Sequence, residues 1–171
     1  MRVDLLMICY NRHEYSRKAI QAVLEQDYKD FHLTIWNNGS TDGTEEYLDT
    51  LKDDRIEVIH NPFNQPLAEV INTVFLSSQA DLVGKIDNDT LVPKDFLTRL
   101  VEIHSKHHVG FIEGFHFRKE DIKGIIPNLT AVGEFEIWRK PHIGGCAFMI
   151  RREDFIDPIE IKGEDQRPFM G

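Results

Sequence analysis

Lys85-Ile86-Asp87-Asn88-Asp89-Thr90 closes the short bulky run Leu82 to Ile86 and sets two carboxylates two residues apart where that run ends. A run of branched residues that stops abruptly at Asp and Asn is the pattern of a strand buried on both faces whose carboxyl end opens into a ligand crevice. In an extended segment, side chains at i and i+2 point the same way, so Asp87 and Asp89 could share one hard cation that offsets their mutual repulsion. The competing reading is an ordinary turn, because Asp and Asn also crowd turns through their own local hydrogen bonds.

Working outward, the same kind of run appears at Val3 to Cys9, broken only by Asp4, and at His32 to Trp36, Ile56 to Ile59 and Val109 to Ile112. These too predict strands buried on both faces. Between them, apolar residues recur at helical spacing in Ala19, Ile20, Val23 and Leu24, in Leu67, Val70, Ile71, Val74 and Phe75, and in Phe96, Leu97, Leu100 and Val101. A shorter helix is expected to start at Asp42, whose carboxylate can cap it while Glu45 lies three residues on. Strand and helix alternating four times predict an α/β fold, a Rossmann-like, mainly parallel sheet with helices on both faces. Each strand end then carries a polar cluster: Tyr10-Asn11-Arg12, the stretch Asn37 to Thr44, Asn61 to Asn64, and Asp87-Asn88-Asp89. All four converge on one crevice. From Phe117 to His142 the pattern weakens and reads as an insertion or lid, before Gly144-Gly145 leads into a last apolar run, Cys146 to Ile150.

The whole chain, 171 residues with 20 Lys and Arg against 29 Asp and Glu, suits one domain, 1–171, with ordinary globular composition. A net charge of −9 argues against nucleic acid as a partner and is compatible with binding cations. No apolar run approaches the roughly 18 residues of a transmembrane segment, and Met1-Arg2-Val3-Asp4 lacks a signal-peptide cleavage site, so a cytoplasmic protein is expected. Cys9 and Cys146 each sit in an apolar run and read as buried core thiols. No Gly-x-Gly-x-x-Gly follows the first strand and no phosphate-loop Gly-Lys-Ser/Thr occurs, which argues against nicotinamide chemistry and P-loop hydrolysis.

Cys9-Tyr10-Asn11-Arg12, Asn37-Asn38-Gly39-Ser40-Thr41-Asp42-Gly43-Thr44, Asn64 with Asn72, Asp87-Asn88-Asp89, and Gly144 through Arg152 follow one another in an order and spacing that resembles a family 2 glycosyltransferase with the glycosyltransferase-A (GT-A) fold. The resemblance covers about residues 3 to 153. It implies a nucleotide-diphosphate sugar lying across the strand ends, with a divalent cation, Mn2+ or Mg2+, bridging its phosphates. Asp89, and to a lesser degree Asp87, would serve the metal and the donor, and Tyr10, Asn11 and Arg12 would lie near the nucleotide. Asn38, Asn64 and Asn88 belong to the same donor-side motifs. Asn37 stands where the family usually shows Asp; its carbonyl can still accept the uracil N3 hydrogen, so a UDP-sugar is favoured.

The resemblance further implies transfer to an acceptor hydroxyl, on a sugar or another compound, with inversion. The base would come from the acidic pair after the Gly-Gly strand, Glu164-Asp165, with Asp165 taking the proton. His142 is a candidate third metal ligand, and Phe135 and Trp138 are candidates to stack on a sugar or to pack the lid. Family catalytic domains run longer, so the domain is expected to be cut short at its C-terminus. The alternative is a non-catalytic or truncated nucleotide-sugar-binding module. A dehalogenase-type hydrolase also uses Asp-x-Asp, but it wants Thr or Val where this chain has Leu91. His104, His107 and His108, with Lys106, fall near the end of the third apolar helix and are expected to complement its dipole.

Overall fold

A computed structural model describes residues 1–114, 129–138 and 145–158. The elements follow the alternation in order: β1 (Val3–Cys9), α1 (His13–Leu24), β2 (Phe31–Asn38), α2 (Thr44–Asp49), β3 (Ile56–Asn61), α3 (Leu67–Ser77), β4 (Leu82–Ile86) and α4 (Phe96–Lys106). Then come β5 (Ile112–Glu113), β6 (Leu129–Val132), β7 (Phe135–Trp138), β8 (Ala147–Arg151) and a single 3-10 turn at Arg152–Asp154.

Six strands form the main sheet in the order β3-β2-β1-β4-β8-β5. β1, β2, β3 and β4 are mutually parallel, while β8 runs antiparallel to both β4 and β5. The sheet is therefore mainly parallel, as the alternation requires, with one reversed strand inserted beside β4. The reversal matters for the site, because it brings the start of β8 to the end of β4: Ile86 pairs with Ala147.

The period-2 geometry of a strand sorts β1 between two cores. Val3, Leu5, Met7 and Cys9 meet Ala19, Ile20 and Val23 of α1, Leu48 of α2, and Phe96, Leu97 and Leu100 of α4. Leu6 and Ile8 meet Val70, Ile71 and Phe75 of α3 together with Phe148, Ile150 and Phe155. Helices thus cover both faces of the sheet. Burying a side chain such as Leu5 on this scale stabilises the fold by about 1.5–3 kcal/mol.

The strands and helices depart from the sequence expectations in four places. β3 is not buried on both faces: it is an edge strand whose residues are half-buried or exposed. The strand expected at Val109 to Ile112 is only Ile112–Glu113. α2 begins one residue later than the cap expected at Asp42, since Gly43 takes the N-cap position at φ 87°. His104, expected to complement the dipole of α4, is instead fully buried, and burial lowers its pKa to about 4, against a positive charge there. Spaced four residues after Leu100, it continues that helix's apolar stripe. Of the stretch expected as an insertion or lid, residues 129–138 form a two-stranded ribbon, β6 with β7. Val132, Phe135 and Ile137 pack against the larger core, so Phe135 serves packing here.

Gln26, two residues past the end of α1, has a buried side chain that donates to the carbonyl of Pro93 (2.7 Å) and accepts the N–H of Leu97 (2.9 Å). An amide that satisfies a first-turn N–H acts as a remote cap for α4, and it ties the segment after α1 to the start of α4.

Candidate functional site

The first strand end carries strain. Asn11 and Arg12 are consecutive non-glycine residues in the left-handed region, at φ 56° and 60°. That conformation costs an ordinary L-residue about 1–2 kcal/mol. Contacts from the β2 loop hold it: Asn11 N–H donates to Ser40 Oγ (2.9 Å), and Thr41 N–H donates to Asn11 Oδ1 (2.8 Å). The Arg12 carbonyl then receives the N–H groups of Tyr15 and Ser16 and starts α1. Tyr10, half-buried, precedes this pair.

The second strand end turns inward. Asn37 is 0 % exposed; its carbonyl accepts Ser40 N–H at 3.1 Å, and its amide nitrogen faces His60 Nδ1 at 3.1 Å and Glu45 Oε2 at 3.4 Å. Asn38 is equally buried and reaches the loop after β3, donating to Asn64 Oδ1 (2.8 Å) and the Gln65 carbonyl (3.0 Å) while accepting Gln65 N–H (3.0 Å). Gly39 sits between the two loops at φ 81°, where a Cβ would lie 3.0 Å from the backbone of Phe63; only glycine fits. Asp42 accepts His13 N–H (2.9 Å) with one oxygen and Thr44 N–H (3.2 Å) and hydroxyl (2.6 Å) with the other. Burial alone would raise its pKa, but these hydrogen bonds outweigh it and hold the carboxyl below its ordinary value.

At the fourth strand end, the Asp87–Thr90 stretch is not extended. Thr90 N–H returns to the Asp87 carbonyl at 3.1 Å and closes a turn, so the i, i+2 argument for parallel carboxylates does not apply. Each carboxylate has its own cation instead. Asp87 Oδ1 takes the ammonium of Lys85, a residue only 4 % exposed that also donates to the Gly145 carbonyl at 2.9 Å. Asp89 Oδ2 takes Arg12 Nη1 at 2.9 Å. Between them Asn88, 3 % exposed, points away and donates to Ser16 of α1 at 2.9 Å, fastening the turn to the helix. Cys146 is only partly buried, unlike the core thiol expected. Burial and the adjacent Asp87 carboxylate raise its pKa, whereas Cys9, fully enclosed, is pushed up to about 12 by burial.

Mn2+ and Mg2+ prefer hard oxygen ligands. Asp89 keeps one carboxylate oxygen that receives no hydrogen bond from a described residue, while the Asp87 carboxylate is shared between the Lys85 ammonium and the Cys146 thiol. This pair fits a cation that draws its remaining ligands from phosphate oxygens, and falls short of an all-protein cage. Among the described residues, no group of three or more His, Cys, Asp and Glu side chains could hold a metal.

The hydrogen bonds thus bring Asn11, Arg12, Asp42, Asp89, the Ser40 hydroxyl and the Thr41 backbone together, with Asp87 on the same turn as Asp89. Asn37, Asn38 and Asn64 join the β2 and β3 loops to each other. Asp165, Glu164 and His142 lie outside the described residues. Two participants went unassigned in the sequence reading: Lys85, which the i, i+2 spacing to Asp87 could have found, and Asp42 as a cap for α1, for which no local signal exists.

The comparisons with known proteins agree on this architecture. A family model described as Glycosyl transferase family 2 matches residues 4–157. An uncharacterized glycosyltransferase of Haemophilus influenzae is 24 % identical over 163 residues, covering 92 % of this chain and 49 % of that protein. A UDP-Glc:alpha-D-GlcNAc-diphosphoundecaprenol beta-1,3-glucosyltransferase of Escherichia coli, WfgD, is 24 % identical over 133 residues, covering 78 % and 50 % of the two chains. Among solved structures, the mannosyltransferase PcManGT from Pyrobaculum calidifontis, in complex with GDP-Man and Mn2+, superposes with a TM-score of 0.72 at 23 % identity over 89 % of this chain and 45 % of that one. TarS of S. aureus with UDP-GlcNAc gives 0.60 at 17 % identity, over 70 % and 37 %. The chain spans about half the length of the curated relatives it matches.

Proposed function

The chain belongs to glycosyl transferase family 2, and from that membership we propose that it moves a sugar from a nucleotide-diphosphate donor to an acceptor hydroxyl, with inversion at the anomeric carbon. The observation that carries the reading is the ion pair between Arg12 and Asp89, which joins the end of β1 to the turn after β4. Two strand ends that are neighbours in the sheet thereby frame one polar edge, the place where a ligand crevice lies in an open α/β sheet. Arg12, with a planar guanidinium half-exposed at that edge, binds phosphate oxygens; Tyr10 and Asn11 flank the nucleotide. Lys85 holds the Asp87 carboxylate in place, and Asn88 fastens the turn to α1.

A cation, Mn2+ or Mg2+, held by Asp89 and Asp87 with His142 as a candidate third ligand, would neutralise charge on the departing diphosphate. Asp165, with Glu164 beside it, takes the proton from the acceptor hydroxyl; the support for this pair is its place after the Gly-Gly strand in the family pattern. A uridine donor is the first candidate, and the base would be read through Asn37 and the neighbouring Asn38–Asn64 loop contact. Because Asn37 is enclosed and already bonded to Ser40, reading a base through it requires the loop after β2 to open. Both cysteines are free thiols, which supports a reducing, cytoplasmic setting. Among the described residues, no helix is long and apolar enough to cross a membrane.

Calorimetric titration with UDP, GDP and CDP, with and without Mn2+, tests the proposal. Binding should require the metal, and Asp89→Ala should weaken it roughly tenfold or more. Unchanged affinity in that variant removes Asp89 from the site. Binding with neither transfer nor donor hydrolysis identifies a nucleotide-sugar-binding module.

A further inference from the structure

The two carboxylates of the turn after β4 are neutralised in different ways. The Lys85 ammonium on Asp87 is buried and is also anchored on the Gly145 carbonyl, so withdrawing it would leave an uncompensated charge in the interior. The Arg12–Asp89 pair has side chains 45 % and 40 % exposed and rests on a single 2.9 Å contact. Such a pair is held weakly and exchanges readily. The Arg12 backbone is meanwhile pinned, because Asn11 is tied to Ser40 and Thr41. Only the long side chain is free to swing.

We propose that Arg12 is an exchangeable counter-cation for Asp89, and that this exchange couples uptake of a divalent cation to uptake of the nucleoside diphosphate. The inference rests on the reading of Asp89 as a metal ligand. A divalent cation arriving alone at the open oxygen of Asp89 meets a guanidinium of like charge on the other oxygen, and drawing the carboxylate to itself leaves that guanidinium unpaired. When a diphosphate arrives with the cation, its oxygens receive the released guanidinium, so each ligand tightens the other by the same factor. Asp87, neutralised by a lysine that stays in place, does not take part in the exchange. Arg12 in this role determines order and coupling of binding, beyond adding one contact to the phosphates.

The test measures Mn2+ binding by electron paramagnetic resonance of the free ion, with no nucleotide, with UDP and with GDP. The proteins are the parent, Arg12→Asn and Arg12→Gly, both of which accept the left-handed backbone, and Asp89→Ala. Without nucleotide, Arg12→Asn should bind Mn2+ roughly three- to tenfold more tightly than the parent, the scale of one lost surface pair and one lost like-charge contact. A nucleotide should tighten Mn2+ about fivefold or more in the parent and hardly at all in the variant. Arg12→Gly repeats the measurement should Arg12→Asn fold poorly. Equal Mn2+ affinity in parent and variants, or coupling that survives loss of Arg12, overturns the exchange; if Asp89→Ala still loses Mn2+, the metal reading stands without it. Mn2+ bound by none of the proteins, with or without nucleotide, overturns both.

Discussion

Asp42 Oδ2 accepts the backbone N–H of His13 at 2.9 Å, across 29 residues, while its Oδ1 serves Thr44. One carboxylate therefore caps the N-termini of α1 and α2 together, where partial positive charge favours an anion. It also locks the strained Asn11–Arg12 corner against the β2 loop.

Removing that carboxylate should loosen both helices. Asp42→Ala is expected to cost about 1–2 kcal/mol in urea unfolding, and Asp42→Asn less, since its carbonyl still accepts one N–H. The folded pKa is lowered, so the contribution is complete above the ordinary carboxylate range near pH 4 and is lost as pH falls through the folded value. The gap between parent and Asp42→Ala should narrow on acidification below about pH 4; a constant gap would show that the charge is not what stabilises.

His104 gives the opposite part of the pH range. Burial in the face of α4, assisted by the nearby Arg151 charge, lowers its pKa to about 4 from 6.5. The unfolded chain takes up a proton between these values and the folded one does not, so stability falls as pH drops from about 6.5 to about 4 and then levels off for this group. His104→Leu should flatten that slope in melting curves collected across the interval; an unaltered slope would assign it to other groups.

Asn37→Asp should have a signature of its own. The new carboxylate would keep the Ser40 bond but face Glu45, and only a protonated His60 relieves the repulsion. Pairing raises the His60 pKa in the folded variant, so the relief is present below about pH 6.5 and lost as pH rises through the raised value. Melting from pH 5 to 8 should show the variant losing stability relative to the parent towards the alkaline end. Competition among uridine, guanosine, cytidine and thymidine diphosphates on the same variant reports whether Asn37 reads the base: no change in their ranking excludes it.

Asp165→Asn separates chemistry from binding. The amide keeps the shape but cannot accept the acceptor's proton, so turnover should fall by about a hundredfold or more while donor affinity barely moves. A polypeptide that performs transfer or slow donor hydrolysis is required as the parent. Retained rate moves the base elsewhere, to Glu164 first and then Glu113.

Hydrophobic period alone determined the α/β alternation here. Ala19, Ile20 and Val23 had to share a helix face, and β1 and β4 had to be buried strands, because side-chain direction repeats every 3.6 or 2 residues whatever the rest of the chain does. The sequence likewise placed Asp87 and Asp89 at a strand end, and the family pattern in five separated motifs. Tertiary structure decided what those polar residues do. β3 is half-exposed because it ended up at the edge, and Gly145 meets Lys85 because β8 inserts in reverse beside β4. Arg12 finds Asp89 across 77 residues, and Asp42 finds His13, only once β1, β2 and β4 are neighbours in the sheet. Strand order is a long-range property, set by how whole faces bury one another, and no local spacing records which strand ends will meet.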